Sequence, residues 1–247
     1  MTLPLVPAPR RPGVGIVPFV LALCAGVAVL IHHAVGAGHG HRVPDAAGWP
    51  SAAATGWAWW LVMVIVMMFP LVADDVVRTA NAGLRSRRLR SAAAFLLGYL
   101  TVWAAVGLPL VGVVGWWWPT GTPTSVAVAV LLGAAVWQLS PFRRRMLIRC
   151  GGGPFVAIDG WQAIRDCASH GAVRARRCVL TCGVAMLAMA VTHSLIVMVG
   201  LTAMLMSERR PGPNPHQRAG RSPEALGIVG MAGLVAWWSM RGAGTLP

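Results

Sequence analysis

Long apolar runs, separated by short arginine-rich or proline-rich links, set the pattern of this chain. Six runs stand out, at about residues 14–35, 57–73, 92–115, 124–139, 178–206 and 225–240. Crossing the hydrocarbon core of a bilayer takes about 20 apolar residues in a helix. The pattern therefore predicts an all-α, polytopic transmembrane helical bundle of about six spans. The run 124–139 is short for a crossing, and 225–240 is marginal. Residues 1–13, rich in proline and carrying Arg10 and Arg11, read as a cytoplasmic tail ahead of a single transmembrane domain, 14–247. The first apolar run exceeds the ~7–15-residue core of a signal peptide, so it is expected to persist as the first span. Pro109 predicts a kink in the third. Between the fourth and fifth runs lies the longest hydrophilic segment, 140–177. There Trp161 and Ile164 alternate with charge, which predicts a short interfacial helix in a cytoplasmic loop.

Composition sharpens this picture. Only 11% of the 247 residues are charged, against roughly 25% in a soluble domain. The net charge of +14 comes from arginine alone. These arginines sit between apolar runs, so they read as topology signals and contacts to anionic lipid, not as a nucleic-acid footprint. With the N-terminus inside, inner segments hold sixteen arginines and outer ones five. That asymmetry predicts a cytoplasmic N-terminus. It also sends Trp57, Trp59, Trp60 and Trp116, Trp117 and Trp118 to the outer interface, where aromatic belts form. Four arginines in the loop 207–224 conflict with this topology unless the last run does not cross. The expected location is the bacterial cell (inner) membrane, with the lipid bilayer as first partner.

The fifth run adds chemistry. Cys178, Cys182, Met186, Met189 and His193 follow one another at steps of four, four, three and four. At ~3.6 residues per turn those steps keep all five on one helical stripe, roughly 22 Å long. Thiolate, thioether and imidazole suit soft or borderline metals, above all Cu(I). Methionine and cysteine are also ordinary packing residues of a buried helix, whereas an ionisable residue inside a span, His193, is a functional candidate by default. Met63, Met67 and Met68 of the second run could face this stripe, or pack simply between helices. Cys150, Cys167, Cys178 and Cys182, with Met146 and His170 as further members, form a candidate inner cluster, or else a set of reduced cytosolic thiols. His32, His33, His39 and His41, followed by Asp45, form an outer cluster that either binds metal or is a solvated loop titrating near neutral pH. Asp74, Asp75 and Glu208 lie near span ends. Five cysteines make an odd count without secreted-domain spacing, so no disulfide framework is expected.

Several of these residues fall in a familiar order: Met67, Met68 and Pro70; Gly98, Tyr99 and Trp103; Gln138, Leu139, Ser140 and Pro141; Cys178 and Cys182, then Met186; and Glu208. Over roughly residues 57 to 240 the chain resembles the bacterial family of predicted metal-binding integral membrane proteins known as domain of unknown function 2182. The resemblance places Met146 where the family has the first of two inner-loop cysteines, with Cys150 as the second. It likewise places Thr181 at a cysteine position and His193-Ser194 at a Met-Asn pair. Two thiols are thus lost, although Met for Cys and His for Met each exchange one soft or borderline ligand for another.

Imidazole outside, thioether in the middle and thiol inside would form a graded set of exchangeable ligands, as conduction requires. The expectation is a membrane protein that binds a soft transition metal, copper, and transports it or delivers it across the membrane, with a metallochaperone or membrane subunits as partners. A non-catalytic structural or assembly subunit of a larger complex is the alternative. A copper or haem oxidase subunit fits less well, because few histidines fall inside the spans and no nucleotide or flavin motif is present.

Overall fold

The computed structural model describes residues 14–36, 49–82, 84–117, 123–148, 160–192, 195–209 and 223–240. Among these residues every regular element is helical: α1 (Ile16–Gly36), α2 (Trp49–Ala82), α3 (Arg88–Trp117), α4 (Thr124–Leu139), α5 (Pro141–Ile148), α6 (Gly160–Thr192), α7 (Leu195–Arg209) and α8 (Pro223–Met240). A short 3-10 turn, Arg85–Arg87, leads into α3. Among the described residues, three stretches are long and apolar enough to cross a membrane: Ala53–Ala82, Arg88–Trp117 and Gly160–Thr192. The described apolar parts of α1, α4, α7 and α8 are shorter. Among the described residues, length and composition therefore support three of the six crossings that the hydrophobic pattern predicts.

Two elements differ from the pattern for physical reasons. The second apolar run was expected to close at Asp74 and Asp75, but α2 continues to Ala82 with Pro70 inside it. Asp75 does not end the helix because its charge is met: Arg78 and Arg174 both donate to Oδ1, at 2.7 and 2.5 Å. Thr79 Oγ1 also donates to the Asp75 carbonyl, at 2.8 Å. The segment expected as a hydrophilic loop with a short interfacial helix is largely α5 and the first half of α6. Hydropathy hides this, because the buried face of α6 is built from Ala163, Cys167, Gly171, Arg174, Ala175 and Cys178, which are mostly small and only weakly apolar.

Small residues matter here because lipid offers no hydrophobic drive for helices to associate, and close packing has to supply it. A Cβ added to Gly171 of α6 would overlap the Phe95 carbonyl oxygen of α3. One added to Gly98 of α3 would overlap the Ala168 carbonyl oxygen of α6. The two backbones thus touch at a reciprocal pair of glycines. α3 also holds α2: Trp60 Nε1 donates to the Trp103 carbonyl at 3.0 Å, and Trp57 Nε1 donates to the Ala104 carbonyl at 3.1 Å. Gly107 leaves the space that the Trp60 indole fills. The Trp60 and Trp103 rings pack at a tilt, with centroids 5.9 Å apart. Gly98 and Trp103 of the quoted motif therefore join α3 to α6 on one side and to α2 on the other. Around this trio α1 packs on α2, α4 packs on α6 and α8, and α7 packs on α8 and α2.

Candidate metal centre

Held by α3, helices α2 and α6 meet through sulfur at Met68 and Cys178. Met63, Met67 and Met68 of α2 and Cys178, Cys182, Met186 and Met189 of α6 are all buried in one core. The four described members of the α6 stripe thus all face inward. Met198 of α7 is buried in the same core. The direct link between the helices is the Cys178 thiol, which donates to the Met68 thioether with the sulfurs 3.7 Å apart. One turn away on α6, Arg174 reaches Asp75 of α2. The two links run in opposite chain directions, so the facing segments are antiparallel.

Charge and backbone polarity frame the thiols. Thr181, standing between Cys178 and Cys182, bonds back to the Arg177 and Cys178 carbonyls at 3.1 and 3.2 Å. Its hydroxyl also lies 3.6 Å from the Cys182 sulfur. The Thr181 carbonyl accepts a hydrogen bond from Arg143 Nε at 2.9 Å. Arg143 comes from α5, whose start is set by local chemistry: Ser140 Oγ accepts from the Phe142 amide at 3.3 Å, and Pro141 takes the first helical position. The Gln138–Pro141 motif thereby delivers a guanidinium group, only 2% exposed, to the turn that carries the cysteines.

Several other expected site residues that the structure describes lie elsewhere. Cys167 lies eleven residues before Cys178 on the same continuous helix, roughly 16 Å along its axis, too far to share one ion. Its thiol lies near Ser91 of α3 instead. His170 packs on the Phe95 ring, with centroids 5.6 Å apart. Met146 is half-buried on α5, and Asp74 is exposed. His32 and His33 fall in α1 and Glu208 in α7, but their side chains lie outside the described residues. Cys150, His39, His41, Asp45 and His193 lie outside them altogether. Among the described residues no three His, Cys, Asp or Glu side chains gather into a metal-holding group, and no cysteine is in a disulfide. The donor set that α2 and α6 contribute to this core is therefore sulfur, two thiols and several thioethers, of which Cys178 and Met68 meet directly. That set suits a soft monovalent ion and not a hard one. Arg143 and Arg174 escaped sequence reasoning, although Arg174 stands four residues before Cys178, on its face of the helix.

No curated protein and no solved structure matches this chain. The family model of PpoB2, described as a copper chaperone, matches residues 57–237, from the third turn of α2 to the last turn of α8. The sulfur centre lies wholly inside that span, and the chain belongs to the PpoB2 copper chaperone family.

Proposed function

We propose that this protein holds a cuprous ion between α2 and α6, on Met68, Cys178 and Cys182, and delivers it across the membrane to a partner protein. The observation that carries this reading is the 3.7 Å separation of the Cys178 and Met68 sulfurs across two helices. With metal–sulfur bonds of about 2.3 Å, the length typical of a metal thiolate, that separation corresponds to an angle of about 107° at one bridging ion.

Met63, Met67, Met186 and Met189 offer neutral thioethers along the same interior. Thioethers bind more weakly than thiolates, which lets an ion leave as well as enter. A cytoplasmic N-terminus puts the arginine-rich segments and the cysteine end of α6 inside, following the positive-inside rule. His32, His33, His39 and His41, with His193 nearer the centre, then serve the opposite side. Membership of a copper chaperone family supports copper as the cargo.

The paired substitution Cys182→Ser with Met186→Ala removes two adjacent sulfurs from the path. Copper retained by the purified protein, measured by elemental analysis, should fall from near-stoichiometric to background. Unchanged stoichiometry would contradict the proposed path. Co-purification of a stoichiometric membrane partner with no copper would favour a structural subunit instead.

A further inference from the structure

Two buried guanidinium groups have no part in the ligand set, yet both stand beside it. Arg143 is almost fully enclosed and donates to the carbonyl of the residue preceding Cys182. Arg174 sits one turn before Cys178 and shares the Asp75 carboxylate with Arg78. Burying a guanidinium group is costly, and helix anchoring alone could be done by a neutral donor.

We propose that Arg143, seconded by Arg174, makes the sulfur site select a monovalent ion over a divalent one by charge. This rests on the copper site argued above. When a metal binds the two cysteines, both thiol protons leave to solvent and two thiolates remain. A cuprous or silver ion on two thiolates carries one net negative charge, whereas a zinc ion on the same pair is neutral. A fixed guanidinium group nearby attracts the first complex and is nearly indifferent to the second. Softness of the ligands cannot make that distinction alone, because zinc also accepts thiolate. Arg143 suits the role, since its delocalised charge is permanent and its hydrogen bond to a helix carbonyl fixes where the charge stands.

The test uses the full-length protein in detergent. Affinities for Cu(I), Ag(I) and Zn(II) are measured by chelator competition for the wild type, Arg143→Gln and Arg143→Lys. The glutamine variant should lose Cu(I) and Ag(I) affinity by about tenfold or more while Zn(II) affinity holds or rises. Lysine, keeping the charge, should restore most of the Cu(I)-to-Zn(II) ratio. Equal losses for all three ions would mean that Arg143 only anchors α5, and would overturn the proposal. No loss for any of them would overturn it equally. Should Arg143→Gln not fold, Asp75→Asn carries the test with opposite sign: leaving Arg174 less neutralised, it should raise the Cu(I)-to-Zn(II) ratio, and a fall would overturn the proposal. Failure of the wild type to bind Cu(I) would instead remove the copper site itself.

Discussion

Replacing Gly171 by leucine is expected to abolish the folded protein. The first carbon of any side chain there would overlap the Phe95 carbonyl oxygen, which belongs to backbone and cannot rotate away. Relief requires α3 and α6 to separate, and that breaks the reciprocal contact of Gly98 with the Ala168 carbonyl. Overpacking a side-chain core costs roughly 1–3 kcal/mol. A clash that drives two helix backbones apart should exceed that range, against a total stability of about 5–15 kcal/mol for a typical domain. The expected result is loss of the monodisperse peak in size-exclusion chromatography of the solubilised protein. Gly183→Ala is the control, because its added carbon would meet only a Val179 methyl at 3.7 Å, an ordinary contact. That variant should stay folded and gain up to about 1 kcal/mol from helix propensity. If Gly171→Leu gave the same elution profile and melting temperature as wild type, the close α3–α6 approach would be wrong.

The second large effect concerns copper. Cys178→Ser leaves a hard oxygen donor where a soft sulfur stood, and Met68→Leu removes a thioether at nearly constant volume. Neither change should unfold the bundle, since both side chains are apolar-packed and the replacements are no larger. Each single variant should weaken Cu(I) binding by about tenfold or more, read by competition with a cuprous chelator. Because the two sulfurs are in contact, their effects should be non-additive, with the double variant little worse than the poorer single. Strict additivity would mean that the two side chains do not share one ion.

Much of the α6 half of this centre was legible beforehand. Helical spacing alone puts Cys178, Cys182, Met186 and Met189 on one stripe, and the structure buries all four. The α2 half was legible only in part. Met63 and Met67 share a face at a step of four, yet the residue that meets Cys178 is Met68. All three are buried, because α2 packs against more than one neighbour, and periodicity cannot say which neighbour each side chain meets. The arginines misled for a related reason. Counted as topology signals they belong at the surface, whereas Arg143 and Arg174 are buried, bonded to a helix carbonyl and a carboxylate respectively. Those partners lie 38 and 99 residues away along the chain, beyond any local pattern. The first half of α6 was hidden by its composition: a stripe of alanine, glycine and cysteine is weakly apolar, but it is what lets two backbones touch.

The most direct test is X-ray absorption at the copper edge on the full-length protein loaded with one equivalent of Cu(I) in detergent. A cuprous ion surrounded by sulfur, with sulfur neighbours lost in the Cys178→Ser and Met68→Leu variants, is the predicted outcome. A first shell dominated by nitrogen or oxygen, or one left unchanged by both substitutions, would contradict a copper site between α2 and α6.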